Sequence, residues 1–85
     1  MKKRSKRKGL GTVLHIMGKL LIVRGGRLRV EGMINALVVT EDKKKIGKVY
    51  DIFGPVEHPY VSIKTLGALK EEELKKLVHK KLYVL

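Results

Sequence analysis

The side chains in this 85-residue chain that could do chemistry are His15, His58, His79, Ser5, Ser62, Asp42 and Asp51. The histidines are far apart, with no H-x-x-x-H spacing and no neighbouring carboxylate pattern of the kind a metal site uses, so no metal ligand is assigned. Ser5 sits in a run of basic residues, and Ser62 lacks a nucleophile-elbow motif around it. Asp42 and Asp51 have no visible supporting constellation. "VRGGRL" places glycines between basic residues but matches neither G-x-G-x-x-G nor G-x-x-x-x-G-K-[ST], and it reads as a turn. No catalytic residue and no cofactor site follow from these types and spacings, and the expected reading is a protein that is not an enzyme.

What remains is charge and a few aromatics. Twenty Lys and Arg against eight Asp and Glu give a formal charge of +12. Lys2, Lys3, Arg4, Lys6, Arg7 and Lys8 crowd the N-terminus, and the rest of the chain is still +6 without them. Such an excess favours polyphosphate partners through counterion release. The first eight residues read as a disordered basic arm, able to touch RNA or simply to raise solubility. Four aromatics, Tyr50, Phe53, Tyr60 and Tyr83, are thin equipment for stacking bases, and their spacing does not match the RRM signature.

Length and composition bound the elements that must position these residues. A chain this short buries about 60–65% of the surface its unfolded form exposes, enough for one modest core and no deep cavity. Without cysteine there is no disulfide framework, zinc ribbon or thiol chemistry, and the cytoplasm is the expected compartment. No secretory leader is apparent, and no run approaches the ~20 apolar residues of a membrane span.

From Gly9 to Leu85 the chain reads as a single domain of short strands. "LGTVLHIM" alternates Leu10, Thr12, Leu14 and Ile16 against Gly11, Val13, His15 and Met17. Gly18-Lys19 permits a reversal into "LLIVR". Gly25-Gly26 is the next turn signal, followed by "RLRV" and Gly32. Ala36–Thr40 and Ile46–Phe53 read as a hairpin around the polar connection 41–45. Val61 and Ile63 continue the strand theme, and "KLYVL" is expected to close the domain. The helical pattern lies in "LKEEELKKLVHKK", where Leu74, Leu77 and Val78 share a face and Glu71–Lys75 and Glu72–Lys76 are spaced i,i+4. Many short strands with one brief helix imply a small antiparallel barrel.

The segment "KIGKVYDIFGPVEHPYVSIK" holds both prolines, the one phenylalanine and two of the three tyrosines. Alternation there puts Ile46, Lys48, Tyr50 and Ile52 on one face and Gly47, Val49, Asp51 and Phe53 on the other. Gly54 can take backbone angles closed to other residues, Pro55 and Pro59 fix their own φ, and Pro59 pushes His58 toward an extended conformation. A connection stiffened in this way lowers the ordering cost of binding and would present Phe53, Val56 and Tyr60 to a partner. The alternative is ordinary punctuation between strands with Phe53 in the core.

The same segment resembles the signature of the GAR-domain family of H/ACA ribonucleoproteins in its archaeal form, close to I-G-K-V-x-x-I-F-G-P-x-x-x-P-Y-x-x-[IV]-K. The matching positions are Ile46, Gly47, Lys48, Val49, Ile52, Phe53, Gly54, Pro55, Pro59, Tyr60, Ile63 and Lys64. "GTVLHIMGKLLIVR" resembles the family's first hairpin and "EEELKKLVHKKLYVL" its closing segment, so the resemblance spans Gly9 to Leu85. His79 stands where the family commonly has glycine, which bears on the turn there and not on the fold. A short Lys/Arg arm replaces the glycine-arginine-rich flanks of eukaryotic relatives.

The resemblance implies a six-stranded antiparallel β-barrel with one short helix near the C-terminus. It implies a non-catalytic subunit of a guide-RNA particle for RNA pseudouridylation and rRNA processing. That subunit binds the catalytic domain of the pseudouridine synthase and assists substrate RNA loading, placement and release. Guide RNA and substrate rRNA are then met indirectly. A zinc-ribbon-like small subunit and a kink-turn-binding protein share the particle. The expected interface residues are Gly47, Ile52, Phe53, Gly54, Pro55, Val56, Pro59 and Tyr60, supported by the first hairpin, with Gly54 and Pro59 shaping the loop and Gly47 allowing close backbone approach. The alternative function is a small basic barrel of ribosomal or translation-factor type that binds RNA directly.

Overall fold

In a computed structural model, which describes residues 8–26, 32–55 and 57–85, the described residues form seven elements. They are β1 (Lys8–Met17), β2 (Leu20–Gly25), β3 (Leu37–Val39), β4 (Lys45–Phe53), β5 (Tyr60–Thr65), α1 (Glu71–Lys75) and β6 (Lys81–Val84). The six strands close into an antiparallel barrel in the order β1-β2-β5-β4-β3-β6. Closure removes the free sheet edges that would otherwise invite pairing with other chains.

Two glycines let the strands cross closely enough to close. A Cβ on Gly11 would sit 2.2 Å from the carbonyl oxygen of Arg24, and one on Gly47 2.1 Å from that of Lys64. Both positions exclude any side chain, as expected where a small barrel turns a corner.

Inside lie Leu10, Val13, Leu21, Val23, Val38, Ile46, Val49, Val61, Ile63, Leu82 and Val84, joined from the helix by Leu74. Fully burying each such side chain contributes about 1.5–3 kcal/mol. These positions do not follow strict alternation. In β1 the register shifts between Gly9 and Gly11 and again between Val13 and His15. The shift at Leu14 keeps Val13 and the half-buried Ile16 on the same inner face, although they are three residues apart. In β4 a shift between Val49 and Asp51 leaves Tyr50 as the extra residue, and a shift opposite Val38/Val39 leaves Ile46 extra. The alternation read for β4 is therefore corrected. Ile46, Val49 and Ile52 face inward, while Tyr50 and Phe53 are exposed. A β-bulge inserts one residue and flips every side chain beyond it to the other face.

The helix is shorter than its apolar pattern. It ends after Lys75, turns continue to His79, and His79 takes the left-handed conformation at φ 72°. The His79 amide then donates to Val13 O at 2.8 Å, which returns the chain to the barrel. Of the two ion pairs expected on the helix, Glu71–Lys75 approaches to 3.9 Å and Glu72–Lys76 does not form. At the N-terminal end, Glu73 accepts from the Lys70 amide at 3.0 Å and from Lys44 Nζ at 3.2 Å, tying the β3–β4 hairpin to the helix. These donors hold the Glu73 carboxyl below its ordinary value, the Lys70 amide most strongly, then the Lys44 hydrogen bond and charge.

Candidate docking face

Cross-strand register fixes what the outer wall of the barrel presents. Strands β1, β2, β5 and β4 lie side by side, with Phe53 opposite Tyr60, Tyr60 opposite Arg24, Asp51 opposite Ser62, Ser62 opposite Ile22 and Ile22 opposite His15. β2 is apolar on both faces. Leu21 and Val23 enter the core, whereas Ile22 points outward and is nonetheless only 7% exposed. What covers it is a set of outward side chains. Leu14, His15, Met17, Ile22, Phe53 and Tyr60 together line a shallow depression of about 420 Å³. Met17 at 57% and Phe53 at 45% are the chief apolar groups left in solvent there.

The aromatic end of this depression is fixed by the glycine-proline connection. The Phe53 and Tyr60 rings stack with centroids 5.7 Å apart and planes 28° from parallel. Such a pair contributes about 0.5–1.5 kcal/mol beyond its buried area. Gly54 has φ 93°, and a Cβ there would meet Tyr60 Cδ2 at 2.9 Å, so the ring lies directly over a bare backbone. The His58 amide donates to Pro55 O at 3.3 Å, closing the turn, and the Gly25 amide donates to Pro59 O at 2.8 Å, anchoring its far end to β2. Ser62 reaches the Asp51 carbonyl at 3.5 Å across the same wall.

The residues expected at an interface therefore separate. Phe53, Gly54 and Tyr60 are brought together at one end of the depression, while Pro55 is exposed in the turn that follows and accepts from the His58 amide. Ile52 lies on the inner face, half-buried against the core beneath them. Gly47 and Pro59 are buried, and they shape the wall through backbone contacts within the barrel. Val56 lies outside the described residues, as do Lys2, Lys3, Arg4, Lys6 and Arg7. Lys8 is described, pairing with Val84 as the first residue of β1.

Leu14, Met17 and Ile22 were legible only as strand. The signal that could have found them is the unbroken run Leu20–Val23. A strand apolar on both faces needs a second cover, and in a barrel this small the outside would otherwise be wet.

His15 lies in β1, His58 in the β4–β5 connection and His79 in the turn before β6, and among the described residues no group of three or more His, Asp or Glu could hold a metal ion. No described helix is long and apolar enough to cross a membrane.

Comparison with known proteins places the chain in a family. A protein of Methanothermobacter thermautotrophicus, itself uncharacterized, is 42% identical over 78 residues, covering 91% of this chain and 82% of its own. An uncharacterized protein of Methanocaldococcus jannaschii is 50% identical over 52 residues, 60% of this chain and 59% of its own length. The solved structure of the Gar1 domain of Naf1 superposes with a TM-score of 0.76 at 21% identity, covering 99% of this chain and 86% of that one, and so shares its fold. Residues 7–85 match the family described as the Gar1/Naf1 RNA binding region. The chain belongs to the Gar1/Naf1 family, non-catalytic accessory components of H/ACA ribonucleoproteins.

Proposed function

We propose that this protein is the subunit of an archaeal H/ACA guide-RNA particle that docks on the catalytic domain of the pseudouridine synthase through the Phe53–Tyr60 wall. By holding the synthase in a working arrangement it assists loading, placement and release of substrate RNA, while the chemistry at the uridine belongs to the synthase. The observation that carries this reading is the stacked Phe53–Tyr60 pair, with Phe53 45% exposed and the Tyr60 ring fixed over Gly54, beside Leu14, Met17 and Ile22. Aromatic anchors already held in one geometry lose little freedom on binding. The rim is cationic on one side, where Arg24 neighbours Tyr60.

The test is retention of the purified chain on the synthase catalytic domain at moderately high salt and without RNA. Stable one-to-one retention that Met17→Asp abolishes supports the proposal. Absence of retention, together with salt-sensitive binding to guide RNA alone, contradicts it.

A further inference from the structure

A second surface lies where α1 packs against the barrel. Two depressions adjoin there. One, of about 490 Å³, opens between the β1–β2 turn and α1 and is lined by Ile16, Leu69, Leu74 and Val78. The other, of about 380 Å³, lies over β4 and β5 beside Tyr50. Thr65, Leu66 and Gly67 line both, so the two form one groove that bends over this short segment. The segment is held in place by its backbone. The Leu66 amide donates to Ile46 O at 2.9 Å, and Thr65 donates to Lys19 O from its amide at 3.1 Å and from its hydroxyl at 2.8 Å. Leu66 is 39% and Tyr50 59% exposed, which leaves apolar surface of the groove in water. Lys48 and Lys64, directly opposite one another on β4 and β5, stand on the rim with Lys19, and all three are exposed. Like charges facing across an antiparallel ladder destabilise it. Among the described residues none of the three lysines has an ion-pair partner. The acid among the lining residues, Glu71, is already approached by Lys75 at 3.9 Å.

We infer that this groove receives an extended acidic segment of a partner protein, with its apolar side chains on Leu66, Leu69 and Tyr50 and its carboxylates against Lys19, Lys48 and Lys64. The rim sets the sign of the partner, because unpaired ammonium groups lose their mutual repulsion when anionic groups lie between them. The interior sets its class. Apart from Tyr50, the apolar lining is aliphatic, and one ring is a single platform where nucleic acid strands stack successive bases. Aliphatic side chains of a protein segment would remove that lining from water. Of the residues that line this groove, His15 alone also lines the Phe53–Tyr60 depression, so binding here and docking there can succeed or fail separately.

The experiment uses the full chain and a fluorescein-labelled peptide of about eight residues that alternates glutamate and leucine, whose side chains point to opposite sides when extended. Anisotropy is measured near physiological salt. This peptide should bind about tenfold more tightly than a glutamate–serine peptide of equal charge, because leucine alone buries apolar surface. Lys48→Gln/Lys64→Gln should weaken binding about fivefold, and Lys76→Gln/Lys80→Gln, exposed charges that line neither depression, should weaken it less. Gly67→Gln is the blocking variant. A Cβ at Gly67 meets nothing within 4 Å, so this chain should melt with the parent while the peptide loses about tenfold or more. Phe53→Asp should leave peptide binding little changed, which separates the fate of this site from that of synthase docking. No binding by the parent chain, equal affinity for the two peptides, equal losses in the two lysine double variants, or a Gly67→Gln chain that binds normally would each overturn the site. A loss of peptide binding in Phe53→Asp would also overturn it, by placing the peptide in the other depression. So would an oligouridylate of the same length that displaces the peptide more effectively than unlabelled peptide does, which would make the groove a nucleic-acid surface.

Discussion

Phe53 and Tyr60 face each other across β4 and β5 with ring centroids 5.7 Å apart, and the residue that follows Phe53 is a glycine lying under the Tyr60 ring. The stack and the glycine are one device. The ring pair needs the chain to leave β4 with a positive φ, and Gly54 both supplies that angle and leaves the space the ring occupies.

Gly54→Ala should therefore act twice. The new methyl group meets the ring at 2.9 Å and the backbone must hold φ 93° with a Cβ. A loss of about 1–3 kcal/mol is expected, read by thermal or denaturant unfolding, with weaker synthase binding beyond what the lost stability explains.

Gly47 and Gly18 separate two reasons for glycine. At Gly47 a Cβ would strike the Lys64 carbonyl at 2.1 Å, with backbone on both sides of the clash, whereas at Gly18 it would meet nothing within 4 Å and only φ 62° opposes it. Gly18→Ala should cost about 1 kcal/mol, and Gly47→Ala clearly more, about 3 kcal/mol or greater. Similar unfolding midpoints for the two variants would mean the β4–β5 crossing is looser than its geometry implies.

His79 holds a left-handed angle of 72° in the turn that returns the chain to the barrel. A residue with a Cβ is disfavoured there, so His79→Gly should raise stability by about 0.5–1 kcal/mol after the greater freedom of glycine in the unfolded chain is offset. A destabilised variant would show that the imidazole makes a compensating interaction.

Glu73 predicts a small acid-side dependence. Its folded carboxyl titrates below the ordinary 4.5, so its contribution to stability is complete above that pH and is lost as pH falls through the lower folded value. Glu73→Gln should flatten the stability profile below about pH 4.5 and leave its neutral part little changed, because water reaches the carboxyl and screens its contacts. A profile whose acid limb is identical to the parent would mean that the Lys70 and Lys44 contacts do not persist in solution.

Turn chemistry made the succession of strands along the chain readable, but not their order around the barrel. Gly18-Lys19 and Gly54-Pro55 fall at strand ends, and the strands expected near 36–40, 46–53 and 81–85 lie within a residue or two of β3, β4 and β6. The facing of side chains was not readable, because a bulge leaves no residue-type mark. Leu14 and Tyr50 look like any strand residue, yet each reverses the alternation beyond it. Phe53 and Tyr60 were legible as a pair of possible anchors from their stiff connection, whereas Met17 and Ile22 required the register that sets β1 and β2 beside β5. The one brief helix is legible too, although it is shorter than the spacing of Leu74, Leu77 and Val78. Leu77 and Val78 do pack against the core, but from the turn that His79 ends.

The most direct test of the docking account is the affinity of the full chain for the synthase catalytic domain, by calorimetry without RNA, compared with Phe53→Asp. Phe53 is 45% exposed, so the variant should keep the parent's circular dichroism and lose about 1–3 kcal/mol, the stack together with the ring's partial burial. An anchor at the centre of an interface gives 2 kcal/mol or more on truncation, so the expected loss is at least about thirtyfold in affinity. A folded Phe53→Asp chain that binds the synthase as tightly as the parent would contradict the central claim.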